Sequence, residues 1–407
     1  MDSKILRPKH RASPVSDDLR LASYPPPYPD GWYRLMSSKS LRRGQVRYLE
    51  CLGRALVVWR SEDADDVHAM RAFCPHLGAN LGHGRVRKDR IECPFHAWQF
   101  SGDGRVACIP YSDNVPSRIV TESFPVEEVY GQIFLYHRGG GIRQQASDEV
   151  PYPVPRVREV DDGSFTFRGH HDGGRVRMHI IEIVENAADF AHFASTHGRM
   201  IIPWTQIPIP GVELEYTSSL EFDDDRPWTM RAQVRTVPKV FGRRLERAKG
   251  NGVVTYSGAG SILNFRLTIP GQREVALYQT HLPIAPLEQQ VDFHWFANPG
   301  IPRLLVWYIV GNWISQWRKD VRIWENKVYA EPPVLCRDDG PVGCARRWYR
   351  QFFPDWQPAR KPYAASAETD TVDRSRVAWP VSSPDAGGGA KEYDGADSPS
   401  VSAGETG

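Results

Sequence analysis

The stretch that decides the architecture is Cys74 to Phe100, CPHLGANLGHGRVRKDRIECPFHAWQF. It holds two short motifs, Cys74-Pro75-His76 and Cys93-Pro94-Phe95-His96, with a glycine-rich run from Leu77 to Gly82 after the first. Each motif offers one thiolate and one imidazole, so two of each can converge. A soft thiolate pair suits one iron of a sulfide-bridged [2Fe-2S] centre, and a neutral imidazole pair suits the other. The same four donors could instead hold one zinc, but zinc sites usually pair cysteine with cysteine and histidine with histidine along the chain, and neither motif follows that order. His83, between the motifs, matches neither pattern and reads as a solvated loop residue.

Outward from this segment, short β-rich runs such as Ala55-Leu56-Val57-Val58-Trp59 and Gln132-Ile133-Phe134-Leu135-Tyr136 alternate with Gly, Asp and Pro, which predicts a small antiparallel β domain over 31–140. Residues 1–30 end in Tyr24-Pro25-Pro26-Pro27-Tyr28-Pro29 and read as an extended arm. The glycines at 139–141 open a linker over 141–155. A second domain over 156–356 follows, with a helical stretch around Ile181 to Ser195, alternating strands from Val212 to Phe296 and another helix from about Leu304 to Tyr329. The fold class is therefore α+β, with an antiparallel sheet flanked by helices. Residues 357–407 are rich in Ala, Ser, Gly, Asp and Pro and predict a disordered tail.

Composition narrows the function. Lys and Arg number 51 against 49 Asp and Glu, a net charge of +2, so no nucleic-acid partner is expected. The 13 tryptophans and 11% aromatic content supply material for an enclosed apolar cavity. The longest apolar run, Leu304 to Val310, is too short to span a membrane. Met1 to Pro14 is basic and lacks the apolar segment of a secretory signal, and the six cysteines do not form a disulfide framework, so a cytoplasmic protein with reduced thiols is expected. Gly258-Ala259-Gly260 lacks the context of a dinucleotide fingerprint, so no nicotinamide or flavin site is read in the chain itself.

A second constellation lies in Glu185-Asn186-Ala187-Ala188-Asp189-Phe190-Ala191-His192-Phe193-Ala194-Ser195-Thr196-His197. Asp189 and His192 fall on one helical face, but His197 is about 140° further round an ideal helix, so the two histidines reach one metal only if the helix ends or bulges between them. Two histidines and one carboxylate with open positions are the arrangement that lets ferrous iron activate dioxygen. The best carboxylate is Asp320, which shares a helical stripe with Trp313, Trp317 and Trp324 and needs a partner for its charge. Arg318, Lys319 or Arg322 could supply that partner in place of a metal, and Glu325 is the reserve ligand.

Together these segments resemble the Rieske non-haem iron oxygenases over about Asp30 to Phe353. The resemblance implies a Rieske β domain followed by a catalytic domain of helix-grip type. It makes Cys74, His76, Cys93 and His96 the [2Fe-2S] ligands, and His192, His197 and Asp320 the ligands of a mononuclear Fe(II). It casts Asp189 as the link from His192 to His96 of the partner subunit, which implies a homotrimer, and Asn186 as a neighbour of the iron site. Ala79, Phe95 and Trp98 stand where high-potential Rieske proteins carry the disulfide cysteines and a serine, which implies a low-potential cluster.

Within the family the chain resembles the cholesterol 7-desaturases of the Neverland type and the oxygenase component of 3-ketosteroid 9α-hydroxylase. The similarity runs through ENAADFAH, Lys319 to Lys327 and Arg346-Arg347-Trp348-Tyr349. The implied reaction uses O2 and NAD(P)H electrons, delivered by a separate ferredoxin and/or flavin reductase, to desaturate a sterol or hydroxylate a steroid or other apolar ring substrate; the competing class is a Rieske electron carrier whose second domain does no chemistry.

Overall fold

The computed structural model describes residues 15–139, 150–269, 273–336 and 338–353, and the backbone of Val377–Trp379. The N-terminal domain consists of three small antiparallel sheets. Its central strand, Arg54–Arg60, is buried on both faces, with Leu56 and Val58 turned to one core and Val57 and Trp59 to another. That is how an unbroken apolar run fits a strand of period two. The second core packs Trp59, Met70, Leu81, Ile91 and Phe100 around Cys74 and Cys93. The two motif loops project from the adjoining sheet of short strands, Arg85–Arg87, Arg90–Glu92, Gln99–Phe100 and Val106–Cys108.

The second domain is a ten-stranded antiparallel sheet. Its main path runs Thr166–Val176, Glu288–Ala297, Arg273–Ala285, Ile262–Ile269, Gly250–Ser257, Thr229–Val240, Pro208–Phe222 and Arg199–Ile201. Five helices accompany the two domains: α1 (Asp17–Ser23), α2 (Arg158–Asp161), α3 (Ile181–Ala188), α4 (Arg303–Trp324) and α5 (Val342–Tyr349). Helix α4 packs against one face of the sheet, where Phe265 stacks on Trp313 with ring centroids 4.1 Å apart.

Several expectations are corrected. The arm is not simply extended: Ser16 caps α1, with Asp17 and Asp18 in its first turn, a favourable start before the prolines end the helix. Arg20 is fully buried and donates to the carbonyls of Trp324, at 2.8 Å, and Lys327, at 3.1 Å, capping the C-terminus of α4. Within the expected linker Tyr152 and Val154 are buried, because their side chains join the core of Trp32, Phe134 and Tyr278, while 140–149 lie outside the described residues. In the expected disordered tail, Val377–Trp379 pairs with Ser218 to Leu220 as an added edge strand, and the rest of that tail lies outside the described residues. Strand Thr166–Val176, whose glycines and histidines hide its pattern, extends the sheet beyond its expected start. Helix α3 stops at Ala188, not Ser195, because Asp189 leaves helical geometry (φ −85°, ψ 92°).

An ion-pair network ties the helices together. Arg346 of α5 meets Glu185 of α3 at 2.7 Å, and Lys327 meets Glu182 at 2.6 Å and Glu185 at 3.4 Å. Apart from Glu182, one turn earlier in α3, these are the charges of the ENAADFAH, Lys319–Lys327 and Arg-Arg-Trp-Tyr segments, and they fix α3 against the end of α4. Removing Glu185 would take a carboxylate from both Lys327 and the buried Arg346, which destabilises the contact of α3 with α5.

Candidate active site

The two cysteine–histidine loops share one backbone. In the first, the Cys74 N–H donates to the Ala79 carbonyl (2.9 Å) and the Gly78 N–H to the Cys74 carbonyl (2.9 Å). In the second, the Cys93 N–H donates to the Trp98 carbonyl (2.8 Å) and the Ala97 N–H to the Cys93 carbonyl (3.2 Å). Both turns close through a left-handed residue, Gly78 at φ 76° and Ala97 at φ 55°. The thiols point inward, with Cys74 and Cys93 each 3% exposed, whereas His76 and His96 lie half-buried at the surface with ring centroids 4.7 Å apart. Burial and the neighbouring Cys93 thiol push the Cys74 thiol up to about 11. A metal must displace that proton to be bound as thiolate. The donors thus separate into an inner sulfur pair and an outer nitrogen pair, which fits a two-iron cluster. Trp98 stacks on His76 (4.5 Å, 5°) and donates its indole N–H to the Tyr111 hydroxyl at 2.7 Å. His83 is exposed in the turn Leu81–His83.

The second site depends on a distortion. After Asp189, whose carboxylate accepts from the His192 N–H at 3.2 Å as a new cap, the chain winds into a π-helical turn, Phe193–His197. With i→i+5 bonding, residues five apart return to nearly the same face. His192 and His197 accordingly stand with ring centroids 5.1 Å apart. Asp320 arrives from α4, and the donor atoms of His192, His197 and Asp320 lie within 4.8 Å of one another.

These donors fit a metal better than they fit each other. Asp320 Oδ1 is 3.0 Å from His197 Nε2, but it is a buried oxygen without a hydrogen-bond partner, and His192 Nε2 is likewise buried and unpartnered. Two orphaned donors aimed into one space are costly unless a cation receives them. Burial holds His192 below the ordinary histidine pKa, so its imidazole is kept in the neutral, ligating form. Arg318 and Lys319, the alternative partners of Asp320, contact His171 and the carbonyls of Thr196 and Arg199 instead, and Arg322 is exposed. Glu325 sits beyond the last turn of α4, where it contacts the Arg177 N–H.

Sequence reasoning missed Gln316. Its Oε1 lies 3.2 Å from His197 Nδ1, and its Nε2 donates to the Arg199 carbonyl at 3.4 Å. Accepting from Nδ1–H leaves Nε2 free for a metal. Its signal was the spacing of one helical turn before Asp320 on the same stripe.

His197 and Asp320, two of the three metal donors, line a cavity of ≈ 320 Å³. Its wall follows from strand alternation: Ala232, Val234 and Thr236, then Gly250, Gly252, Val254 and Tyr256, then Leu263, Phe265 and Leu267 each turn one side of a strand inward. Helix α4 closes it with Ile309, Trp313, Trp317 and Trp324. Asn186 and Gln279 are among its few polar linings. A mostly apolar cavity with sparse polar groups is the environment expected for an apolar small molecule.

Residues 31–124 match the Rieske [2Fe-2S] domain family, and residues 144–353 match the 3-ketosteroid 9alpha-hydroxylase C-terminal domain family. Cholesterol 7-desaturase of Xenopus laevis is 33% identical over 351 residues, covering 82% of this chain and 74% of that protein. The chain belongs to the Rieske oxygenases. A relative from Rhodococcus rhodochrous, "Probable 3-ketosteroid-9-alpha-monooxygenase, oxygenase component", is 28% identical over 87% of this chain and 86% of its own. Dicamba monooxygenase bound to dicamba shares the fold with a TM-score of 0.56 at 18% identity, over 79% of this chain and 96% of that one. As a Rieske oxygenase the protein is an oxidoreductase of a family that carries a [2Fe-2S] cluster and a mononuclear iron. No helix among the described residues is long and apolar enough to cross a membrane.

Proposed function

We propose that the protein is the terminal oxygenase of a multicomponent system that desaturates a sterol. The observation that carries this reading is the convergence of His192, His197 and Asp320 beside a largely apolar cavity that His197 and Asp320 line. Cys74 and Cys93 would hold one iron of the cluster, His76 and His96 the other, and His192, His197 and Asp320 the mononuclear iron. Bound there, that iron supplies dioxygen activation beside a substrate C–H bond.

The chain's own residues do the rest. Gln316 fixes the His197 ring, Asp189 positions the turn that carries His192, and the aromatic wall excludes water from the reacting centre. Asn186 lines the cavity from α3 and is placed to orient the substrate. Hydroxylation of a 3-ketosteroid is the second reading, favoured by the family matched over 144–353. Small shifts of substrate position decide between the two outcomes.

Electrons would come from NAD(P)H through a separate ferredoxin and/or flavin reductase. A homotrimer, with Asp189 facing His96 of the partner subunit, is supported by the apolar surface around the cluster histidines. There Phe73, Leu77 and Phe95 are 50%, 64% and 62% exposed. Cytoplasmic residence is supported by the free state of all six cysteines.

The test is product mass after supplying a surrogate ferredoxin and reductase, NADH and oxygen, with cholesterol and a 3-ketosteroid in separate reactions. Loss of two hydrogens from cholesterol is expected. Gain of one oxygen on the ketosteroid moves the protein to the hydroxylase reading, and no change in either, with the cluster cycling, rejects both. Light scattering of the holoenzyme tests the trimer, and a monomer would reject the intersubunit path.

A further inference from the structure

The cavity is long, and its two ends differ. From Tyr256, near Asp320, to Gly250 is six residues of one strand, about 20 Å. From Asp320 to Ile309 is eleven residues of α4, about 16 Å. His197 and Asp320 line it toward Tyr256, and Tyr308 and Lys249 line it toward Ile309 and Gly250, where Tyr308 is 36% exposed and Lys249 is exposed.

The chain around that outer end is unusual. Residues 239–249, Lys-Val-Phe-Gly-Arg-Arg-Leu-Glu-Arg-Ala-Lys, carry five basic side chains against one acidic one. Lys239 and Arg244 pair with Glu215, and Arg244 also with Glu246. Arg243, Arg247 and Lys249 enter no ion pair among the described residues and are exposed. Between these cations Phe241 is 82% exposed and Leu245 42% exposed. Phe241 also adopts a left-handed backbone (φ 46°), a strained state for a bulky residue that burial does not offset here.

We propose that the hairpin over 239–249 seats the cavity mouth on an anionic lipid bilayer, so that an apolar substrate passes from the bilayer into the cavity. Phe241 and Leu245 enter the acyl boundary, and Arg243, Arg247 and Lys249 meet the lipid phosphates. The charge sign selects anionic over neutral lipid, and the exposed rings select a lipid surface over a purely ionic protein partner. The inference rests on the reading that the substrate is apolar.

The test is flotation of the holoenzyme with vesicles of phosphatidylcholine alone and of phosphatidylcholine mixed with phosphatidylglycerol. Wild type floats with the anionic vesicles and is released by salt. The variant Phe241→Asn/Arg243→Gln/Arg247→Gln, in which Asn tolerates the left-handed backbone, loses about tenfold in vesicle affinity with an unchanged cluster spectrum. Its turnover of vesicle-borne substrate falls in parallel, while turnover of cyclodextrin-carried substrate stays at the wild-type level.

A wild type that stays down with anionic vesicles overturns the proposal, as does a variant that floats like wild type. A variant with unmoved flotation but a raised KM for ferredoxin assigns the surface to an acidic electron carrier instead. Flotation needs no turnover, so a protein that floats but converts no steroid counts against the substrate reading and not against this surface.

Discussion

The cluster loops and the iron site both bring cysteine, histidine or carboxylate donors together, but by different means. The loops are local: four donors lie within Cys74 to His96, held by two copies of one hydrogen-bonded turn that put histidine at different places after cysteine. The proposed iron site is assembled at long range, from a turn after α3 and the C-terminal part of α4, more than a hundred residues apart. It also requires the helix to fail between Ala188 and His197. A site encoded by spacing should tolerate changes elsewhere, while one encoded by packing should be sensitive to the residues that hold its helices.

The sharpest break of this comparison removes one proposed ligand from each site. Asp320→Ala should lower turnover to background while the visible absorbance of the cluster stays, with iron falling from about three to about two per chain. Cys93→Ser should abolish absorbance and turnover together and leave about one iron. Metal analysis and the visible spectrum decide, and full turnover by the Asp320 variant would remove it from the iron site.

Next in size is Gln316. Replacing it by leucine takes the acceptor from His197 Nδ1 and should weaken iron binding about 10- to 100-fold in chelator competition, with the cluster spectrum unmoved. Gln316→Glu keeps an acceptor and should restore binding. Equal losses in both variants would mean that Gln316 fills space and does not position the ring.

The difference between the sites also explains what was readable in the sequence. The cluster loops were legible because ligand identity and spacing sit in one segment. His192 and His197 were visible with the condition that the helix end or bulge, and both occur, first at Asp189 and then in the π turn. Asp320 was singled out by its tryptophan stripe, and its carboxylate lies within 4.8 Å of the two imidazoles; Gln316 on the same stripe was not, since an amide carries no charge that demands a partner. Helix α1 was hidden because its short cap signal, Ser16 with Asp17 and Asp18, lies beside a proline run that dominates the composition. The cavity was illegible in outline, because it is made by alternate residues of several strands whose pairing no local pattern fixes.

Acid should separate the two halves more gently. In the N-terminal domain, hydrogen bonds from Arg60 hold the Glu128 carboxyl below its ordinary value, at contacts of 2.7 and 2.8 Å. A depressed carboxylate stabilises above its ordinary pKa, and that contribution is lost as pH falls from the ordinary carboxylate range through the depressed one. In the catalytic domain burial raises Glu182 above its ordinary value despite Lys327, so protonation there favours the folded state. On acidification, cluster absorbance should therefore fade before the near-ultraviolet dichroism of the catalytic half. Glu128→Gln should cost about 1 kcal/mol at neutral pH and reduce that separation. Simultaneous loss of both signals would show that these ion pairs do not set the order.

The smallest effects test whether the two cluster loops are one device. Gly78 at φ 76° has open space where a Cβ would sit, so Gly78→Ala meets only the strain of a left-handed backbone, about 1–2 kcal/mol. Part of this is offset, because alanine loses less chain entropy on folding than glycine, by about 0.5–1 kcal/mol. Ala97 already bears that strain at φ 55°, so Ala97→Gly should run the same balance in reverse and stabilise slightly. Opposite shifts of similar size in the denaturation midpoint, with unaltered cluster spectra, are the expected outcome. If Gly78→Ala loses the cluster while Ala97→Gly changes nothing, the first loop needs its glycine for close approach to something other than its own backbone, and the equivalence of the two turns ends at their hydrogen bonds.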